Sequence, residues 1–380
     1  MRAFVFGDEA LVKFAGRFVW LSIDTERPEN AAFVERYPVD SWPTLLVLDA
    51  EAERPAFKWL GSASVADLEA LLADGERAVR GGAGDERSAG ARLIAADRLL
   101  AEGRSAEAAR AYREALDLGG PSWAQGPRAR VSLATAYAEA NQLEPCARVA
   151  RERAPLLRRD AAFANLVAGG LQCALFAPEP QPAWAKDALA ALEPLAGEAV
   201  AIPGLLVDDR SSLFELLVEA RKRAGDFAGA RSLAGRWWTL LAEAAARAPD
   251  EAARAAYNPH LVNAAIALGE PMRALPYLRE TERALPRDYE AFAREAKLQQ
   301  ALDRPHDALA AIDGAIARAY GPRTIGMLKL RAQLLERLGR RDEARATVEQ
   351  ALALLAANPK APHAAELGEE LRSLRDRLAK

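Results

Sequence analysis

The side chains best suited to thiol or imidazole chemistry are few and widely spaced in this chain. Cys146 and Cys173 are its two cysteines, and they form neither a CxxC pair nor a spacing typical of a zinc site. The histidines His260, His306 and His363 are scattered and have no ligand-like neighbours in the sequence. We therefore interpret both cysteines as small buried core residues, and we predict no histidine catalysis, no metal site and no cofactor.

The tripeptide Trp42-Pro43-Thr44 is the next candidate, because it introduces an apolar run of strand length that ends at Leu48. The residue before a proline is pushed toward extended geometry, and an X-Pro bond can be cis in a tight turn. A second, nearly continuous apolar run covers residues 18–23. Such runs are typical of strands buried on both faces of a parallel sheet.

Further elements are predicted around these two strands, within residues 1–76. Helices precede and follow the first strand, and a third strand covers 57–60. A final helix covers 65–72 and is capped by Ser64 with Asp67. The predicted order is helix, strand, helix, proline-led strand, strand, helix.

In this order and in its residues, the segment resembles the thioredoxin family from that family's second helix onward. The matching stretches are Phe18-Val-Trp-Leu-Ser-Ile-Asp24, Tyr37-Pro-Val39, Pro43-Thr-Leu-Leu-Val-Leu48, Gly61, and Leu68 to Leu72. The resemblance implies that Pro43 is the cis-proline of that family, which lies beside the redox dithiol. It also implies that Trp42, Pro43 and Thr44 contact an extended substrate. The alternative is that Pro43 only shapes a turn.

The front half of such a domain has no counterpart in this sequence. The family supplies a first strand and helix, a central strand, and a CxxC at a helix N-terminus, which lowers the thiol pKa. Met1 to Leu11 resembles the helix that follows the dithiol in relatives. The absent strand would lie between those at 18–23 and 44–48, whose ladder groups would lack partners. We therefore expect the true start, with a CxxC, to lie upstream of Met1, which the in-frame DNA would test.

Downstream, residues 77–89 form a glycine-rich predicted linker, and the chain from 90 to 380 reads as helical throughout. A turn signature recurs there: a small or polar residue, four further residues, and a small residue that opens a helix. Its instances begin at Gly103, Asn141, Gly225, Gly269, Asp303 and Gly339, with a weaker one at Ala183. A period of about 34 residues with insertions is typical of tetratricopeptide helical pairs.

The second helices of these pairs alternate small and large side chains on one face, as at Ala108, Tyr112 and Ala115. This part of the chain resembles a tetratricopeptide array over most of 90–355. We interpret residues 169–182 and 197–209 as insertions between helices. The last 16 residues, 365–380, form a charged amphipathic helix that is expected to cap the array.

First helices line the concave wall of tetratricopeptide arrays, where peptides or partner domains bind. The candidate lining residues here are Asn263, Arg294, Lys297 and Lys329. The alternative for each is a solvated polar side chain on a helix face. Of the adjacent pair Trp237 and Trp238, we expect one in the core and the other, if exposed, as a contact residue.

Composition excludes some classes of partner. The 51 basic and 54 acidic residues give a net charge of -3, so no general attraction to nucleic acid or an anionic membrane is expected. No apolar run approaches the roughly 20 residues of a membrane span, and the first residues do not resemble a signal peptide. The chain as written is therefore expected to be cytoplasmic, and periplasmic or secreted if its start lies upstream. Its abundant arginine and alanine suit a GC-rich, bacterial genome.

The predicted fold class is an α/β thioredoxin-like partial domain (1–76), a linker (77–89) and an all-α tetratricopeptide solenoid (90–380). We expect a protein–protein interaction scaffold, with a redox-inactive thioredoxin-like module and a solenoid that binds a peptide or protein. The alternative is a thiol–disulfide oxidoreductase or thioredoxin-like chaperone whose CxxC lies upstream. No catalytic constellation in residues 1–380 favours an enzyme.

Overall fold

The structure, a computed structural model, describes residues 5–39, 42–61, 63–80, 87–359, 361 and 363–379. The chain divides into two compact units, each made of two stretches. The first unit comprises Met1–Arg17 and Ser41–Trp237, and the second comprises Phe18–Asp40 and Trp238–Lys380.

Helices dominate the described residues. They are α1 (Ala31–Arg36), α2 (Val65–Val79), α3 (Ala89–Ala101), α4 (Ser105–Gly119), α5 (Gly126–Glu139), α6 (Leu143–Arg153), α7 (Ala161–Leu175), α8 (Ala183–Ala199), α9 (Val207–Arg223), α10 (Phe227–Ala246), α11 (Glu251–Ala255), α12 (Asn258–Leu268), α13 (Leu275–Ala284), α14 (Glu290–Ala301), α15 (Pro305–Ile316), α16 (Arg323–Arg337), α17 (Arg341–Ala357) and α18 (Ala364–Ala379). Short 3₁₀ helices add Glu9–Phe14, Pro28–Asn30, Ala154–Leu156 and Pro271–Arg273.

The sheet of the first unit is a single antiparallel pair, β1 (Thr44–Asp49) with β2 (Arg54–Leu60). Thr44 pairs with Leu60 and Val47 with Phe57, and the register shifts after Val47. The strands predicted at 44–48 and 57–60 are therefore confirmed. The hairpin between them follows from the polar stretch that separates the two apolar runs.

The strand predicted at 18–23 is wrong. Residues 19–24 have no regular secondary structure, and Val19 and Leu21 are 89% and 68% exposed. The described residues therefore contain one two-stranded sheet, and a thioredoxin-like domain is not confirmed. Residues 1–4 of the predicted first helix lie outside the described residues.

Helix α2 begins as the sequence predicts. The Ser64 hydroxyl accepts the backbone N–H of Asp67 at 3.2 Å, while the Asp67 carboxylate accepts the backbone N–H of Ser64, a complete capping box. The helix packs closely on β1, because a Cβ at Gly75 would lie 2.6 Å from Cγ2 of Val47. The helix is longer than predicted and continues to Val79.

A buried ion pair ties α2 to the first helical pairs of the array. The Arg128 guanidinium of α5 contacts Asp97 of α3 and, at 2.8 Å, Asp74 of α2. Asp97 also accepts the Tyr112 hydroxyl of α4 at 2.6 Å. Of the predicted linker 77–89, residues 81–86 lie outside the described residues, whereas α2 and α3 occupy its ends. The division into 1–76, 77–89 and 90–380 stays a prediction.

The helical array is built of consecutive pairs, as the turn signature predicts. Each signature residue but one ends a first helix in the left-handed region, with φ between +55° and +79°, which glycine, asparagine and aspartate adopt most readily. These residues are Gly103, Asn141, Gly225, Gly269, Asp303 and Gly339. The weaker instance at Ala183 is wrong, because α8 begins there.

First helices of successive pairs also pack on one another, as in a helical-repeat array. In the first unit α5 contacts α7, and α7 contacts α9. In the second unit α12 contacts α14, and α16 contacts the terminal helix α18. Leu371, Leu374 and Leu378 of α18 are at most 2% exposed and pack into the core of the last pair, while its role as a cap stays a prediction.

Helices α6 and α7 approach each other very closely. Cys146 of α6 and Cys173 of α7 form a disulfide, with a Cα–Cα distance of 6.2 Å. A Cβ at Gly170 would lie 2.2 Å from Cβ of Ala150. The cysteines are buried, as predicted, but their interpretation as separate core residues is wrong. Residues 169–175 are helical and not part of an insertion.

Candidate protein-binding surface

The four predicted wall residues lie on three helices of the second unit, and each makes a direct side-chain contact. Asn263 lies on α12, Arg294 and Lys297 lie on α14, and Lys329 lies on α16. All three helices are first helices of their pairs, as predicted. The Lys297 ammonium donates to the Asn263 side-chain oxygen at 2.8 Å, so the structure brings these two residues together across adjacent helices.

Arg294 belongs to a different cluster on the same helices. It pairs with Glu290 one turn earlier, and Glu290 also accepts from the Arg323 guanidinium at 2.9 Å. Burial lowers the pKa of Arg323, but the neighbouring Tyr289, Glu290 and Glu26 outweigh burial and raise it. Burial and the Glu290 charge in turn raise the pKa of Tyr289 to about 12. Arg323 is therefore a cation at neutral pH.

Lys329 pairs with Glu370 of α18, so it links the last first helix to the capping helix. Its neighbour Arg331 has a different role, because its guanidinium contacts Asp313 of α15 at 2.7 Å and the Thr347 hydroxyl of α17. Arg331 therefore joins second helices. We call the four predicted residues Asn263, Arg294, Lys297 and Lys329, which all lie on first helices, the first-helix face.

The tripeptide Trp42-Pro43-Thr44 lies at the entrance of the hairpin. The Trp42–Pro43 peptide bond is cis, and Trp42 is 47% exposed. The Pro43 carbonyl accepts the backbone N–H of Gly61 at 2.9 Å, which extends the hairpin ladder by one bond. A substrate-binding role for the three residues stays a prediction.

One of the adjacent tryptophans lies in the core, as predicted, and the other is half-buried. Trp237 is 1% exposed and donates its indole N–H to the Ser211 hydroxyl at 2.7 Å in the first unit. Trp238 is half-buried in the second unit, where it meets Tyr277 edge to face and lies under the Arg273 guanidinium. Trp238 is thus packed and offers limited contact area.

A pocket of about 320 Å³ opens in the first unit near the N-termini of α2 and α7. Its charged lining residues include Asp67, Arg158, Arg159, Asp160 and Asp209. Because both signs of charge line it, the pocket favours no particular class of ligand. Among the described residues no group of histidine, cysteine and acidic side chains could hold a metal ion. No described helix is long and apolar enough to cross a membrane.

Sequence reasoning missed two groups in the second unit. Glu26 contacts Arg323, almost 300 positions away, and no local pattern marks such a contact. Glu282 of α13 lies beside Glu295 of α14, and burial together with the Glu295 charge raises the pKa of Glu282 to about 7. Charged residues on predicted helices were the available signal, but charge alone does not distinguish a buried carboxylate from a solvated one.

No family model and no curated protein matches the chain. Among solved structures, the chain is similar to a tetratricopeptide repeat protein from Parabacteroides merdae, with a TM-score of 0.48 and 9% identity over 75% of this chain and 98% of that chain. It is also similar to Acl4, the assembly chaperone of RpL4, with a TM-score of 0.38 and 16% identity over 77% of this chain and 99% of that chain.

A third similar structure is the TPR2AB domain of yeast Sti1 in its pHSP90 complex, with a TM-score of 0.30 and 13% identity. That likeness covers 77% of this chain and 98% of the other. All three likenesses are distant. The helical-repeat array is shown by the pairing of its own helices.

Proposed function

We propose that this protein is a protein–protein interaction scaffold whose first-helix face binds a segment of a partner protein. The observation that carries the proposal is the run of adjacent first helices in the second unit, α12 packed on α14, that places Asn263 beside Lys297. Helical-repeat arrays present such continuous faces to partners, because each pair buries its apolar side only against its neighbours.

The charge of the face supports an acidic partner segment. Lys297 is exposed, and Lys329 keeps a quarter of its side chain exposed beside Glu370. A partner carboxylate can displace or share the Glu370 contact of Lys329, and it can reach the exposed Lys297 beside Asn263. Electrostatic complementarity of this kind sets specificity and association rate more than affinity.

A charge-reversal experiment tests the proposal. Proteins are captured from a lysate of the encoding organism on immobilised wild type, on Lys297→Glu/Lys329→Glu, and on the control Arg283→Glu/Arg341→Glu. The control changes the same charge on the exposed surface of second helices. We expect proteins captured by wild type and the control to be lost from the first-helix variant. The proposal would be contradicted if all three baits captured the same proteins. It would also be contradicted if no bait captured more protein than bare beads.

This chain is proposed to lack thiol–disulfide exchange activity. Its two cysteines are joined in one disulfide, and their side chains are 0% and 2% exposed, so a substrate thiol cannot reach them. Residues 1–380 are therefore expected to give no dithiol-dependent reduction of insulin above buffer. Turnover that is lost on alkylating the protein would contradict this part of the proposal.

The same disulfide supports the periplasmic or secreted alternative for localisation. Disulfides persist in oxidising compartments and are rare where thiols are kept reduced. Trapping thiols with an alkylating reagent in intact cells, before lysis, tests this. We expect Cys146 and Cys173 to stay unmodified even after the protein is denatured in the presence of the reagent, because the disulfide holds both sulfurs. Modification of both cysteines after denaturation would contradict the periplasmic or secreted location.

A further inference from the structure

The stretch 18–39 is held in the second unit by a carboxylate. All of its residues are described, and Glu26 alone among them is buried, with 7% of its surface exposed. Val19 and Leu21 are largely exposed, and neither α1 nor the turn Pro28–Asn30 buries a residue. No apolar side chain of the stretch is fully buried, and Glu26 is its buried contact with the rest of the second unit.

Glu26 binds at the start of α16. One carboxylate oxygen of Glu26 accepts the backbone N–H of Arg323 at 2.8 Å, and the other lies 3.5 Å from Nε of the same residue. Arg323 is the first residue of the helix, where backbone amides lack partners and the helix dipole favours a negative charge. The site therefore combines a directed amide, a guanidinium and the helix terminus.

Gly321 allows the segment that contains Glu26 to approach the start of α16 closely. A Cβ at this position would lie 2.3 Å from the backbone oxygen of Glu26, well inside van der Waals contact. Its φ of +71° is also unfavourable for residues with a side chain. Glycine at 321 thus leaves room for the backbone of a docked segment.

The docked segment is pre-shaped as a turn. Asp24 accepts the backbone N–H of Glu26 at 3.0 Å, and the Asn30 side chain donates to the Asp24 carbonyl at 2.8 Å. Asp24 also accepts the Tyr320 hydroxyl at 2.7 Å, while the Arg27 guanidinium lies 4.9 Å from the Tyr320 ring centre. Burial raises the pKa of Asp24, but these hydrogen bonds and the Arg27 charge outweigh burial and lower it.

We propose that residues 23–30 occupy in cis a binding site for acidic peptides, and that a partner segment with an Asp-x-Glu turn displaces them. The site binds two carboxylates that lie two residues apart in the peptide. One contacts the N-terminus of α16 and the Arg323 guanidinium, and the other accepts the Tyr320 hydroxyl. The proposal does not depend on partner binding at the first-helix face, although Glu290 contacts both Arg294 of that face and Arg323 of this site. A tethered segment competes at an effective concentration of about millimolar order, so free peptide binds well only after the tethered copy is weakened.

The probe is a fluorescein-labelled peptide with the sequence of residues 23–30, Ile-Asp-Thr-Glu-Arg-Pro-Glu-Asn. Its anisotropy is measured against the full-length chain. The variant Asp24→Asn/Glu26→Gln is expected to bind this peptide about tenfold more tightly than wild type, because its own segment no longer fills the site. A probe with glutamine at the position of Glu26, and with the Glu29 position unchanged, should lose most of this binding.

Receptor variants in that background identify the site. Arg323→Ala is expected to weaken peptide binding about tenfold, since it removes the charged partner of a carboxylate. Arg337→Ala, at the far end of the same helix and also ion-paired, should leave binding unchanged. Equal peptide binding by wild type and Asp24→Asn/Glu26→Gln, or equal binding by the Arg323 and Arg337 variants, would overturn the proposal.

Hydrogen exchange of the fragment containing 321–327 gives an independent readout that does not depend on the label. The amide of Arg323 should exchange faster in Asp24→Asn/Glu26→Gln than in wild type, and added peptide should restore its protection. Failure of saturating peptide to restore protection would also overturn the proposal, because the peptide would then lie elsewhere.

Discussion

Opening the disulfide between Cys146 and Cys173 should destabilise the first unit by several kcal/mol. The bond joins α6 to α7 across a sequence separation of 27 residues, and both side chains are buried. In the chain-entropy treatment, a loop of this length removes about 12 cal/mol/K from the unfolded ensemble, or about 3.5 kcal/mol at 25 °C. We therefore expect reduction to lower the free energy of unfolding by roughly 2–4 kcal/mol.

Urea unfolding followed by tryptophan fluorescence measures this, because Trp237 is buried in the first unit. With a slope of about 2 kcal/mol/M, reductant should lower the midpoint by about 1–2 M. Cys146→Ala/Cys173→Ala serves as the control, since its midpoint should be the same with and without reductant. The reasoning is refuted if reductant leaves the wild-type midpoint unchanged, or if denatured, never-reduced protein contains two titratable thiols.

Three further predictions concern buried groups. Arg128→Ala should lower the free energy of unfolding by about 3 kcal/mol, because it leaves the buried carboxylate of Asp97 without its charged partner. Arg92→Ala, which removes an exposed ion pair with Glu114, is the control and should lower it by less than about 0.5 kcal/mol. Similar urea midpoints for the two variants would contradict this. Gly170→Ala should cost about 2 kcal/mol by forcing α6 and α7 apart, and an unchanged thermal midpoint would show that the helices have room. Glu282 keeps its proton to about pH 7 when folded but releases it near its ordinary value when unfolded, so stability should fall as pH rises through that interval. After allowance for solvent screening, Glu282→Gln should stabilise the protein by about 1 kcal/mol at pH 8 and have little effect at pH 4; a pH-independent difference would argue against the Glu282–Glu295 repulsion.

Turn positions were predictable because their chemistry is local. Gly103, Asn141 and Asp303 all adopt a positive φ, and the residues able to do so at low cost are few. Their spacing along the chain therefore gave the helical pairs before any contact was known. The same reasoning gave the Ser64–Asp67 cap, whose two reciprocal hydrogen bonds lie within four residues.

Features that depend on distant partners were not predictable in this way. The apolar run 18–23 has the composition of a buried strand, but a strand also needs neighbours for its ladder, and local pattern does not supply them. Gly170 was interpreted as part of an insertion, although its lack of a side chain serves the close contact with Ala150. Glu26 carried no local signal, because its partner Arg323 lies at the opposite end of the sequence.

Hydrogen exchange with and without a captured partner tests most directly whether the first-helix face binds proteins. If the first-helix face binds a partner, the bound partner should slow hydrogen exchange in the fragments of α12, α14 and α16 that contain Asn263, Lys297 and Lys329. The second helices α13, α15 and α17 should exchange as in the free chain. Protection confined to those second helices, or to the hairpin and α2, would contradict the account.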